Sequence, residues 1–270
     1  MQRFAILLFI LICNHLSAQI AARAYTESAN NVFTVLVDND EFCPVSVVLD
    51  YQLANMKGGT AQGQNIVVPA RTRKFIIDRH EPANASKPAK LSFKSKIQLG
   101  DITQANYDRE HEYWLPFNSG MTIRIDQGYN GKFSHKGENA LDFSMKIGTE
   151  VTAVRDGTVI QTQTRHNRGC REESCKQFNN FIIIRHSDGT FAEYTHIKQN
   201  GTRLKPGDAV KAGDVIVLSG NTGYSSGPHL HLVVYLQRMD RRDTLPIKFR
   251  TGNGATVEAL QEHASYTRQY

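Results

Sequence analysis

His229-Leu230-His231 stands in an apolar run continued by Leu232, Val233 and Val234, and Ser225-Ser226-Gly227-Pro228 leads into it. The run reads as a strand, and strand residues two apart point to the same side. Both imidazoles therefore share one face, where they are candidates for a metal-binding or catalytic role. Tyr194-Thr195-His196 repeats the pattern at the end of a second strand, with alternation placing Tyr194 and His196 on one face. His135 and Asp142 complete the set of candidates. Residues seven apart on an unbroken strand face opposite ways, so their use in one site requires a turn or bulge, for which Gly137-Glu138-Asn139 supplies suitable residues. His111-Glu112 opens like a helical His-Glu-x-x-His zinc motif, but Leu115 occupies the second histidine position and closes that route.

The elements that must position these side chains are all strands and turns. From Trp114 the runs Glu150 to Thr162, Phe181 to His186, Phe191 to His196, Asp214 to Leu218 and His229 to Leu236 read as β structure. Ser187-Asp188-Gly189 forms a turn between two of them, and Gly207, Gly213, Gly220, Gly223 and Gly227 punctuate the later part too closely for helices. Upstream, Val32 to Val37, Val45 to Tyr51, Ile66 to Val68, Phe75 to Ile77 and the alternating Leu91 to Leu99 read as a small β-sandwich. It carries no chemical cluster and suits a docking, targeting or shielding module. The fold class is thus all-β: a sandwich over 19–113, an antiparallel β-sheet domain over 114–245, and a polar, loosely held tail over 246–270.

The chain has 270 residues, of which 40% are hydrophobic and 21% charged, and a net charge of +6, which excludes a disordered chain. The one long apolar run, Phe4 to Leu16, follows Arg3 and precedes Ser17-Ala18. It is too short for a bilayer span and reads as a signal peptide over 1–18, implying export to the periplasm or beyond and no integral membrane span. Cys13 leaves with that segment, and Leu11-Ile12 before it lack the small residues of a lipid-attachment site. In an oxidising compartment Cys170 and Cys175, which bracket four polar residues, read as a loop-closing disulfide rather than a metal clip. Cys43 is left as a buried free thiol. The stretch Arg165 to Cys175 either rims a substrate groove or is a stapled surface excursion. His186 reads as a structural hairpin-end histidine, and His80, His111, His166 and His263 as surface residues. Dispersed basic residues without an aromatic platform argue against nucleic acid.

Over residues 115–236 the order of motifs resembles the lysostaphin-like (LytM-type) zinc endopeptidases. The matching pieces are Gln127-Gly128-Tyr129, Ala140-Leu141-Asp142-Phe143, Gly148-Thr149-Glu150-Val151, Asp156-Gly157-Thr158-Val159, Tyr194-Thr195-His196, and Gly220-Asn221-Thr222-Gly223 leading into Ser226-Gly227-Pro228-His229-Leu230-His231. The resemblance implies that His135, Asp142 and His231 are zinc ligands and that His196 and His229 flank the open coordination position as catalytic residues. The chain departs from the commonest family pattern by placing six residues, not three, between His135 and Asp142.

Two neutral imidazoles and one carboxylate suit a three-ligand zinc site with its fourth position left for water. No glutamate motif offers a base, so one of His196 and His229 would accept the proton of that water and the other would stabilise the oxyanion. The expected function is a secreted zinc metallopeptidase acting on peptide cross-links of bacterial peptidoglycan. A second reading, a catalytically silent wall-binding or hydrolase-activating module of the same fold, is disfavoured because all five positions are filled. The amino-terminal sandwich is expected to cover or position the groove.

Overall fold

A computed structural model describes residues 20–270; the expected signal segment, with Cys13, lies outside the described residues. Among these, strands dominate, and one short 3-10 turn, Glu173–Phe178, is the only helical element. No helix among them is long and apolar enough to cross a membrane.

The central sheet runs in the order Ala209–Val210, Gly157–Gln163, Phe181–Arg185, Phe191–Thr195, His229–Gln237, Ala140–Ser144, Thr122–Gln127 and Ser265–Thr267, with Arg242–Thr244 added along His229–Gln237. Its pairings are antiparallel. The run expected as continuous from Glu150 to Thr162 is two strands, Glu150–Thr152 and Gly157–Gln163, belonging to different sheets.

The upstream segment forms two sheets. One orders Ala22–Ala29, Val32–Asn39, Thr72–Pro82 and Met56–Gly58; the other orders Asn65–Val68, Val45–Ala54 and Lys90–Leu99. Its apolar side does not close on itself alone. Val35, Val37, Cys43, Val45, Val47, Leu49, Val68 and Leu99 share a core with Ala140, Ile160, Ile183, Phe191, Val233 and Tyr235 of the central sheet. The opposite face of that sheet packs a second, larger core around Leu141, Phe143, Tyr194, Leu230 and Leu232.

Two expectations are corrected here. The tail is not loosely held: Lys248–Thr251, Thr256–Glu258 and Ser265–Thr267 are strands, with Phe249 fully buried and Tyr266 paired opposite Ile123. Arg268 anchors it by donating to the Phe117 carbonyl at 2.7 Å and to Thr152 Oγ1 at 3.1 Å. His80 is not at the surface but buried against the Tyr51 ring, 5.0 Å away, beneath Gly59. Gly59 has φ +77°, and a Cβ there would lie 2.1 Å from the His80 ring, so only glycine fits that crossing.

Cys170 and Cys175 form a disulfide, and Cys43 is a buried free thiol whose pKa burial pushes up to about 12.

Candidate metal centre

Strand register brings two of the predicted ligands together. Asp142 lies directly opposite His231 in the Ala140–Ser144 and His229–Gln237 pair, so both side chains rise from the same sheet face as near neighbours. His135 arrives from the loop after Thr122–Gln127. The turn expected between it and Asp142 is present: Gly137 has φ +78°, and the Glu138 N–H donates to the His135 carbonyl at 2.8 Å. Among the described residues His135, Asp142 and His231 form the one group of metal-ligating side chains of this kind.

The three donor atoms converge closely. His231 Nδ1 is 2.9 Å and His135 Nε2 3.3 Å from Asp142 Oδ1, and the two ring nitrogens are 3.2 Å apart. His135 Nδ1 faces the Gly128 carbonyl at 3.0 Å, an acceptor only, so that nitrogen carries the proton and Nε2 presents a lone pair to the centre. Lone pairs of this kind facing a carboxylate oxygen repel one another unless a proton or a cation lies between them. Four tetrahedral ligands at zinc–nitrogen and zinc–oxygen distances of about 2.0–2.1 Å stand about 3.3 Å apart, so the donor set fits that ion. Burial raises the Asp142 pKa, but the His135 and His231 rings at hydrogen-bond distance, whenever they carry a proton toward the carboxylate, and the His229 ring nearby outweigh it and hold the carboxyl well below its ordinary range. Burial works against protonating His135, yet Asp142 at hydrogen-bond distance raises its pKa overall.

The other two histidines stand beside this trio. His229 Nε2 is 3.6 Å from Asp142 Oδ1, and the His196 and His229 rings lie 4.5 Å apart. Each ring is fixed by a backbone carbonyl: His196 Nδ1 donates to Thr222 O at 2.7 Å and His229 Nδ1 to Gly227 O at 2.8 Å. Both Nε2 atoms are therefore left as proton acceptors, with tautomer and orientation set by the Thr222 and Gly227 carbonyls. Burial pushes the His196 pKa down to about 3, and the neighbouring His229 and His231 add to the effect.

His196 reaches the site by a route that alternation does not predict. Tyr194 belongs to the opposite face, fully buried in the larger core, with its hydroxyl accepting from the Val154 N–H at 2.9 Å. Strict alternation would send His196 after it. Instead the strand ends at Thr195, and His196 takes φ +64°, a left-handed conformation that redirects its side chain to the site face. The Asn179 side-chain oxygen accepts its N–H at 3.3 Å and helps to hold the turn.

Asp142, His196, His229 and His231 line a cleft of about 580 Å³, and His135 is buried behind them. Arg171 and Lys176 border it, so the Arg165 to Cys175 stretch is a rim rather than a detached excursion. No residue of 20–113 lines it, so the amino-terminal sandwich does not cover this cleft among the described residues. Sequence reading missed the Glu193–Arg242 ion pair inside it, and also Phe133, a 74% exposed aromatic on the His135 loop. The signal for Glu193 was available, since a carboxylate in the apolar run Phe191–Thr195 sits two residues from Thr195 and shares its face. His186 is fully buried, in keeping with a structural role.

Residues 136–243 match the family model for Peptidase family M23. The glycyl-glycine endopeptidase ALE-1 of Staphylococcus capitis is 32% identical over 152 residues, which cover 53% of this chain and 37% of that protein. The peptidoglycan DD-endopeptidase ShyA of Vibrio cholerae is 37% identical over 93 residues, covering 34% of this chain and 19% of that protein. The chain thus spans well under half the length of either curated relative. Among solved structures, the catalytic domain of lysostaphin from Staphylococcus simulans aligns at 27% identity over 46% of this chain and 87% of that one, with a TM-score of 0.34.

Proposed function

Starting from residues 136–243 as a domain of peptidase family M23, we propose that the chain is an exported zinc metallopeptidase that hydrolyses peptide cross-links of bacterial peptidoglycan. The observation that carries this reading is the convergence of His135 Nε2, His231 Nδ1 and Asp142 Oδ1 within 3.3 Å of one another, with Asp142 and His231 lining an open cleft.

His135, Asp142 and His231 would hold the zinc. Bound there, the ion would supply Lewis-acid polarisation of the scissile carbonyl and a water acidic enough to attack it at neutral pH. The chain's own contribution is the paired imidazoles. With both Nδ1 protons committed to backbone carbonyls, His196 Nε2 and His229 Nε2 are the two atoms that can take up and return protons. One would accept the proton of the attacking water and return it to the leaving amine, and the other, after taking up a proton from solvent at Nε2, would stabilise the developing oxyanion. The Thr222 and Gly227 carbonyls keep the two rings from flipping, so each Nε2 stays aimed at the cleft through the cycle. The names of the two curated relatives, one a glycyl-glycine endopeptidase and the other a peptidoglycan DD-endopeptidase, support the substrate class and an extracytoplasmic site of action.

Zinc content and cleavage of isolated wall fragments, followed by mass spectrometry, test the reading with a His231→Ala variant. The intact chain is expected to bind one zinc and release cross-link products, and the variant to lose both. Cleavage retained by the variant overturns the assignment, and a folded, zinc-free, inactive wild type favours a silent wall-binding module.

A further inference from the structure

The cleft does not end at the candidate metal centre. Cross-strand register aligns Asp142, His231, Thr195, Phe181 and Gln163 in one row across five strands, all on the same face. The adjoining row is Val233, Glu193, Ile183 and Gln161. The metal-centre end of these rows floors the cleft, and the far end floors a second cavity of about 870 Å³. Lys176, Asn179, Glu193, Arg241 and Arg242 line both, so the two spaces adjoin. The far wall of the second cavity belongs to the amino-terminal sandwich, through Ile97, Gln98 and Leu99.

The chemistry changes along the rows. Apart from Asp240, which pairs with Lys96 at 3.5 Å, every charged residue lining the second cavity also lines the cleft, so its far part is neutral. Gln161 and Gln163 lie two apart on one strand and face it together, and among the described residues neither side chain has a hydrogen-bond partner within the chain. Each amide offers a donor pair and an acceptor. Between them and the cleft lies the Phe181 ring. Free amides beside an aromatic face suit hydroxyl and acetamido groups over a flat apolar ring face, not a carboxylate or an ammonium group.

We propose that this cavity is a binding subsite for a neutral N-acetylated sugar of the glycan strand that carries the cleaved peptide, which makes the sandwich one wall of the substrate groove. The inference rests on the peptidoglycan reading above. Distance agrees with it: strands spaced about 4.8 Å apart put Phe181 about 10 Å and Gln163 about 14 Å from His231 along the row. An extended peptide covers that span in about three to four residues, the length of stem that separates a cross-link from its sugar.

Two measurements on the zinc-loaded chain test the proposal. The first is calorimetric binding of a soluble N-acetylglucosamine tetramer, which does not depend on cleavage. Saturable binding is expected, weakened about tenfold in a Gln161→Ala/Gln163→Ala variant by the loss of two hydrogen bonds, and weakened also in Phe181→Ala. The second compares a cross-linked peptide dimer with and without its disaccharides. The sugar-bearing dimer is expected to show the lower KM, and the double variant to bring the two KM values together. No tetramer binding by the wild type, or binding unaltered in both variants, overturns the subsite. Tetramer binding without cleavage of either dimer leaves the subsite standing and overturns the peptidase reading instead.

Discussion

His186 should make the protein acid-labile through a single proton. Its Nδ1 lies 2.9 Å from Thr190 Oγ1, and that hydroxyl donates its own hydrogen to Asp188 Oδ1 at 2.7 Å, so Nδ1 must be the donor. Nε2 then carries a bare lone pair, fully buried and without a partner among the described residues. Burial, reinforced by the Arg155 guanidinium, pushes the imidazole pKa down to about 3. In the unfolded chain the same ring titrates near its ordinary value of about 6.5. Below that value the unfolded state binds a proton that the folded state refuses. The contribution is therefore fully present above about pH 6.5 and is lost at about 1.4 kcal/mol per pH unit as the pH falls. At about pH 5 the loss is about 2 kcal/mol, or about 4–8 °C in Tm for a chain of this size. Urea unfolding at about pH 8 and about pH 5 in excess chelator, on wild type and His186→Gln, isolates the effect, because the metal-site histidines titrate equally in both. The drop between the two pH values should be about 2 kcal/mol smaller in the variant. Equal drops would show that His186 is hydrated or protonated in the folded chain.

Two further substitutions probe elements outside the chemistry. Arg268→Ala removes the guanidinium that lies between the Trp114 and Tyr270 rings and leaves the Phe117 carbonyl without its 2.7 Å donor; urea unfolding should record a loss of about 2–4 kcal/mol, and a loss below about 0.5 kcal/mol would show that the tail is not anchored there. Replacing Cys170 and Cys175 together by serine opens a five-residue separation, expected to cost about 2 kcal/mol. Because Arg171 borders the cleft, steady-state kinetics on the wall fragments should show a raised KM with little change in kcat, and a selective fall in kcat would place this rim at the reacting bond instead.

The parts of the site that were legible in the sequence are those fixed by local rules. His229 and His231 do rise on one side of a strand, and the chain does turn at Gly137 to bring His135 back toward Asp142. Where a residue leaves its local rule, the sequence pattern misleads. His196 follows a correctly read strand, but its left-handed backbone cancels the alternation that would have paired it with Tyr194. The tail misled for a different reason. Its apolar anchors, Phe249, Leu260 and Tyr266, are spread among polar residues, and its last strand pairs with Thr122–Gln127, far away in the chain. His80 shows the same limit, since its polar neighbours in sequence are not its neighbours in space.

Register links the core to the chemistry more tightly than any side chain at the site does. Asp142 and His231 face each other because Leu141 and Phe143 on one strand, and Leu230 and Leu232 on the other, bury their side chains in the core on the opposite face. A slip of one residue in this pair would drive Phe143 into the cleft and Asp142 into the apolar layer, so burial of those anchors, about 1.5–3 kcal/mol for each large side chain, opposes any other pairing. The donor atoms can then be held within 3.3 Å of one another despite their mutual repulsion. The same register carries the rows beyond Thr195 to Phe181 and Gln163, so the alignment that assembles the metal centre also fixes the direction in which a bound chain must leave it.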